Sequence, residues 1–156
     1  MAVSTYLRTA NITAMDTLDP QIKKRVSESF ARQRLMKLYG ASLTGVGKGS
    51  IEMTVPSSDP LLRTSGTFHG GVIAALADSS GGYAATTLHA EDISFLTVEF
   101  KINFLNQARG EKLIARARII KAGATITVAQ SDLFTELNGV ERQVATALLT
   151  FIKEKK

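Results

Sequence analysis

From residue 93 to residue 105 the side chains alternate between apolar and polar. Leu96, Val98, Phe100, Ile102 and Phe104 fall on one face and Thr97, Glu99, Lys101 and Asn103 on the other. A period of two marks a strand, because successive side chains point to opposite sides of the pleat. Strand-like runs recur at 111–120 (EKLIARARII), 125–134 (TITVAQSDLF) and 142–152 (RQVATALLTFI). KAGA and LNGV separate them, and Asn138-Gly139 is a strong signal for a tight hairpin.

Upstream the period changes. Asp19 is placed to cap a helix, Pro20 suits its first turn, and Ile22, Val26 and Phe30 recur every four residues, with Gly40 as its end. Two short strands are expected over 41–47 and 50–55, where Ile51, Met53 and Val55 alternate, followed by the loop PSSDP. Residues 70–88 read as a second helix, rich in alanine, glycine and serine and almost without a charged face. Such a helix belongs inside, wrapped by a sheet. The order is helix, two strands, buried helix and a long antiparallel meander, an α+β chain in which one sheet covers one apolar helix. Residues 1–18 carry little periodic signal and read as an N-terminal arm; 19–156 reads as a single domain, a size that buries a real core.

Composition narrows the chemistry. With 44% hydrophobic and 21% charged residues and no apolar run long enough to span a bilayer, the chain is expected to be a soluble cytoplasmic protein. It contains no cysteine, which excludes disulfides, thiolate nucleophiles and cysteine-ligated zinc. Only His69 and His89 remain for metal work, with no acidic residues at a ligand spacing, so no metal site is expected. The net charge of +5 suits an anionic partner, but the cations read as scattered and without interleaved aromatics, so nucleic acid is not expected. A basic solvated surface accounts for the charge equally well.

The segment FHGGVIAALADSSGG, residues 68–82, concentrates the candidate chemistry. With its neighbours it resembles the HGG-x6-D signature of hotdog-fold acyl-CoA thioesterases of the phenylacetate-degradation (PaaI-like) type. The resemblance implies a hotdog fold, a sheet wrapped around a central helix, and hydrolysis of acyl-CoA thioesters with no cofactor beyond the coenzyme A carried by the substrate. It also implies that Gly70 and Gly71 polarise the thioester carbonyl, that Asp78 acts on the carbonyl carbon directly or through water, and that His69 orients the glycine turn. The residues suit that chemistry. Amides at a helix start lack intrahelical partners and sit at the positive end of the dipole, where an oxyanion is stabilised. A tight turn is the alternative for the glycines, and a bond to Ser79 or Ser80 is the alternative for Asp78.

Asp78 follows Gly71 by seven residues, about 10 Å along the helix and nearly on the same face. One chain cannot bring both to one carbonyl. Two antiparallel helices about a two-fold axis can, so a homodimer with two shared sites is expected, and the resemblance implies a further pairing into a tetramer. The resemblance further places Thr97 where some members carry a hydroxyl that assists the carboxylate, although its alternation puts it on the polar face, where an ordinary strand threonine is equally consistent. Arg63 stands where some members have an asparagine; it either meets a phosphate or carboxylate or is a solvated loop residue. Lys121, Gly123, Ala124 and Thr125 occupy a loop that in the family often lies near the coenzyme A phosphates, and a polar hairpin turn accounts for them too. His89 reads as a surface residue at the helix C-terminus. Two other functions remain open: a hydratase or dehydratase of enoyl or hydroxyacyl thioesters, and an acyl-CoA-binding module without turnover. The acyl group reads as either aryl or medium-chain.

Overall fold

The computed structural model describes residues 18–90 and 93–154. The expected N-terminal arm therefore lies outside the described residues, Leu18 excepted. Helix α1 spans Pro20–Ala31 and starts as expected, with the Asp19 side chain accepting from the Gln21 N–H at 2.8 Å. It does not run on to Gly40. The chain breaks at Arg32–Gln33, Gln33 being extended at φ −69° and ψ 109°, and resumes as α2, Arg34–Leu38. A straight helix would carry Met36 roughly 80° around the axis from Val26. The break re-aims it, and both side chains are buried.

Strands β1 (Ser42–Gly47) and β2 (Ser50–Pro56) form a hairpin, α3 spans Gly70–Thr86, and β3 (Phe95–Phe104), β4 (Lys112–Ala122), β5 (Ile126–Leu137) and β6 (Val140–Lys153) complete one antiparallel sheet in the order β1-β2-β4-β5-β6-β3. Asn138 and Gly139 close the β5–β6 hairpin with φ of 53° and 75°, the positive values that a two-residue turn of this kind requires. The expected meander is corrected in one respect. β3 does not pair with β4, because β2 occupies that edge; β3 crosses the sheet and pairs with β6 at the far edge.

Helix α3 crosses one face of the sheet. Val72, Ile73, Leu76, Ala77 and Ala84 are buried against Met53, Val55, Leu113, Leu133, Leu149 and Phe151. Burying a side chain such as Phe151 contributes about 1.5–3 kcal/mol. The small residues of α3 let it approach closely: a Cβ on Gly81 would lie 3.0 Å from the Phe151 ring. Ser80 Oγ sits 2.8 Å from Ser131 Oγ of β5 and donates to the Ala77 carbonyl, so neither buried hydroxyl is unsatisfied. At the far end Arg25 of α1 donates to the carbonyls of Thr86 (3.1 Å) and His89 (2.6 Å), placing a cation on the negative end of the helix. His89, expected at the surface, is half-buried with its ring tilted against Phe95.

The burial of α3 is not complete. Ala74, Ala75, Asp78, Ser79, Gly82 and Thr86 form a half-open stripe of small residues along it. Beside them the edge strand β3 leaves Val98, Phe100 and Phe104 exposed, the last at 55%. On the opposite, uncovered face of the sheet Arg116 grips Glu141 with two bonds of 2.6 and 2.7 Å and Glu52 with one of 2.7 Å. The bond from Arg116 holds the Glu141 carboxyl below the usual carboxylate range. Among the described residues no helix is long and apolar enough to cross a membrane.

Candidate active site

Two groups of the expected residues are assembled, at different places along α3. The first is Asp78 with Thr97, whose Oγ1 donates to Asp78 Oδ1 at 2.6 Å, the length of a hydroxyl bond to a charged oxygen. This contact corrects the simple alternation of β3. Thr97 pairs with Phe151 and Glu99 with Thr150, so Val98 is an extra residue, a β-bulge. The bulge flips the facing of everything before it. Leu96 turns outward opposite Ile152, while Thr97 turns onto the helix side together with Phe100, Ile102 and Phe104, which oppose the inward-facing Leu149, Ala147 and Ala145.

The second group is the start of α3. His69 is its N-cap, extended at φ −67° and ψ 139°, and its Nδ1 accepts from the Gly71 N–H at 2.9 Å. The acceptor role fixes the tautomer, leaving the ring proton on Nε2. The two glycines therefore differ. The Gly71 N–H is engaged by His69, the N–H groups of Val72 and Ile73 both point to the His69 carbonyl, and that of Gly70 has no acceptor among the described residues. An amide free to meet a ligand belongs to Gly70, not to the pair as the motif suggested. Phe104 stands over it: a Cβ on Gly70 would come within 3.3 Å of the ring. The approach to the helix is pinned by the His69 N–H on the Leu61 carbonyl and the Phe68 N–H on the Ala108 carbonyl.

Roughly 12 Å of helix separates Gly70 from Asp78 at 1.5 Å per residue. Within one chain no carbonyl meets both. Arg63 lies in the exposed turn before the helix, its N–H on the Thr67 carbonyl, and is not joined to either group. Lys121 lies near the end of β4, and Gly123, Ala124 and Thr125 form the β4–β5 turn. Gly123 is required there, since a Cβ would lie 2.7 Å from the Ile126 carbonyl oxygen, and no bond links this turn to Asp78 or Thr97.

Beside Asp78 and Thr97 opens a cavity of about 210 Å³. Its other wall is α1, which contributes Arg25 and Ser29, with Gln33 from the break that follows it; Ser79, Tyr83 and Thr86 of α3 and Ser94 add to the polar part of the lining. The sequence reading missed these residues. The available signal was a polar stripe at intervals of four beside the apolar stripe of Ile22, Val26 and Phe30, a pattern that a solvent-facing helix edge also produces.

Chemically, the molecule offers a half-buried carboxylate fixed by a hydroxyl, and a free amide at a positive helix end. Those are the parts that acyl transfer to water uses.

Residues 65–141 match the family model described as "Thioesterase superfamily". A thioesterase family protein from Silicibacter pomeroyi is similar in structure, with 38% identity, a TM-score of 0.83 and coverage of 86% of this chain and 99% of that one. The thioesterase HI1161 from Haemophilus influenzae matches at 27% identity and a TM-score of 0.74, over 89% and 91% of the two chains. The PaaI protein of the E. coli phenylacetic acid degradation operon shares the fold at a TM-score of 0.77 and 17% identity, over 89% and 97%.

Proposed function

Because the chain belongs to the thioesterase superfamily, a membership that supports thioester hydrolysis in general, we propose that it hydrolyses acyl-CoA thioesters to a carboxylic acid and coenzyme A. One observation carries the reading: the Thr97-bound carboxylate of Asp78 and the unengaged Gly70 N–H lie on one helix, too far apart to share a carbonyl unless two chains face each other.

The half-open stripe of α3 supplies that meeting surface. Ala74, Ala75, Ser79 and Gly82 carry nothing larger than a hydroxymethyl group, so a second α3 laid antiparallel across a two-fold axis approaches closely and brings its Gly70 to this Asp78. The unpaired edge of β3 with its exposed Val98 and Phe100 extends the contact. A second pairing, into a tetramer, would use the outer sheet face, where Ile126, Ile152 and Leu96 align across three strands and are exposed.

In each site the thioester oxygen points at the Gly70 N–H. Asp78 takes a proton from water as the water oxygen adds to the carbonyl carbon; the amide and helix dipole stabilise the resulting oxyanion. When the tetrahedral intermediate collapses, the carbon–sulfur bond breaks and the thiolate recovers the proton from the Asp78 carboxyl. In the alternative sequence Asp78 adds to the carbonyl itself, expels the thiolate and is released when water hydrolyses the anhydride. Thr97 holds the carboxylate in both, and His69 holds the glycine turn.

The test is thiol release from a panel of aryl and straight-chain acyl-CoAs. Turnover of at least one member is expected, with Asp78→Asn lowering it about 10²-fold or more at unchanged circular dichroism. Interconversion of enoyl and hydroxyacyl thioesters without thiol release, or binding without turnover, overturns the reading.

A further inference from the structure

Nothing in the packing of the fold calls for an aromatic ring at Phe104. The residue ends β3, is 55% exposed and lies outside the hydrophobic core. Its backbone is held without the side chain, by pairing with Ala145 and by the Leu105 N–H on the Val144 carbonyl. Yet the ring is aimed at one place. The three atoms nearest a Cβ built on Gly70 are its Cζ, Cε1 and Cε2, at 3.3, 3.6 and 4.0 Å. The far edge of the ring therefore closes one flank of the helix start, at the residue whose N–H has no acceptor among the described residues.

A second flank of the same helix start is open. A recess of about 420 Å³ begins there, lined by His69, Gly71, Val72, Leu61, Leu62 and Leu38, and neither Gly70 nor Phe104 borders it. Along the seam, Thr97 is bonded to Asp78 at one end of β3 and Phe104 stands against Gly70 at the other. An axis that brings a second chain's Gly70 to this Asp78 thus brings that chain's Phe104 to this Thr97. The ring belongs to the shared site, on its glycine side.

A carbonyl carbon held there has its oxygen on the Gly70 N–H and two further substituents, the sulfur and the first carbon of the acyl group. The departing thiol needs an open way out, and the ring's flank offers none, so it is the acyl group that meets the ring. A straight acyl chain needs one path and has it in the recess. A branch at the first carbon, or an aromatic ring directly on the carbonyl, needs width on both flanks and meets Phe104 instead. Resting on the thioesterase reading above, we propose that Phe104 is the specificity-determining residue of the shared site, admitting acyl groups with a methylene next to the thioester carbonyl and rejecting those branched or aromatic at that carbon. The substrate class is thereby a thioester of an acyl group unbranched at its first carbon.

Two isomeric substrates test this. Butanoyl-CoA and 2-methylpropanoyl-CoA contain the same atoms and differ only in branching, so their apolar content cancels. The wild type is expected to favour the straight isomer about tenfold or more in kcat/KM, the scale on which a pocket discriminates one carbon. Phe104→Ala is expected to bring the ratio close to one by raising kcat/KM for the branched isomer, a gain that loss of a merely structural contact does not produce. Phe104→Leu keeps an apolar side chain over Gly70 and should lie between; it carries the comparison if light scattering shows that Phe104→Ala does not pair. The same comparison is made by titration calorimetry with non-cleavable ketone analogues of the two substrates, in which a methylene separates the sulfur from the carbonyl. No discrimination by the wild type, a ratio unchanged in both variants, or an equal loss for both isomers overturns the role of Phe104 and leaves hydrolysis standing. No thiol release from any acyl-CoA, with an analogue preference present in the wild type and lost in the variants, leaves Phe104 standing and overturns the hydrolase reading instead.

Discussion

Thr97 Oγ1 and Asp78 Oδ1 are 2.6 Å apart, one on the edge strand and one on the central helix. This bond is the sole hydrogen bond the described residues make to the Asp78 carboxylate. A carboxylate with one donor has a fixed orientation and free lone pairs for water or substrate. Removing the hydroxyl while keeping the shape, Thr97→Val, is expected to lower kcat about tenfold, the scale of a hydrogen bond to a charged group, with KM little changed. Thr97→Ser should recover most of the loss. A valine variant with wild-type kcat would show that Thr97 does not position the carboxylate.

The two glycines of the helix start are expected to respond differently to proline. Gly70 is the first residue of α3, where proline is tolerated, and His69 before it is already extended, as proline demands. Gly70→Pro therefore deletes the free N–H with little damage to the helix, and kcat is expected to fall about 10²- to 10³-fold, the range for an oxyanion donor. Gly70→Ala keeps the N–H and has only to displace the Phe104 ring by a few tenths of an ångström; it should retain most of the activity. Comparable kcat in the two variants at equal thermal midpoints would remove Gly70 from the mechanism.

Mixing chains tests whether the site is shared. Asp78→Asn and Gly70→Pro chains are each expected to be inactive alone. In a mixed dimer one site receives both lesions and the other neither, so each mixed dimer should show about half the activity of a wild-type dimer. If both groups served one carbonyl from the same chain, mixing would restore nothing. Light scattering on the Gly70→Pro chain establishes that it still pairs.

The Arg116–Glu141 pair carries a pH signature. Because the folded-state carboxyl is held below its ordinary value by the Arg116 bond, its contribution is complete above the unfolded value of about 4.3 and disappears as pH falls through the lower folded one. Both groups are about one-third exposed, so the contribution is under about 1 kcal/mol. Urea midpoints of Glu141→Gln should lie below wild type at pH 7, and the gap should narrow as pH falls below about 4.3.

What could be read in advance were the features whose causes are local. An aspartate before a proline caps α1, Asn138-Gly139 closes a hairpin, and the run of small apolar residues from the glycine pair onward marks the central helix. Features that depend on pairing partners were hidden. The alternation of β3 is faithful over Phe100–Phe104 and misleading at Leu96 and Thr97, because the bulge arises from the match with β6 and leaves no mark in composition. Which of Gly70 and Gly71 keeps its N–H depends on the rotamer of His69. The role of Gln33 arises from a break that lets Met36 reach the core, a requirement set by residues distant in sequence.

The extra residue at Val98 makes the placement of Thr97 a matter of parity. Facing on a strand reverses with every residue, and the bulge exempts Val98 from that count, so deleting Val98 would leave Thr97 opposite Phe151 and on the helix side, with every pair beyond Glu99 as it is. Drawing Val98 into regular pairing would instead push Thr97 to the place of Leu96, opposite Ile152 and facing outward. A deletion map of this protein would therefore show, in the middle of its most regular-looking strand, one residue whose loss the placement of the hydroxyl tolerates.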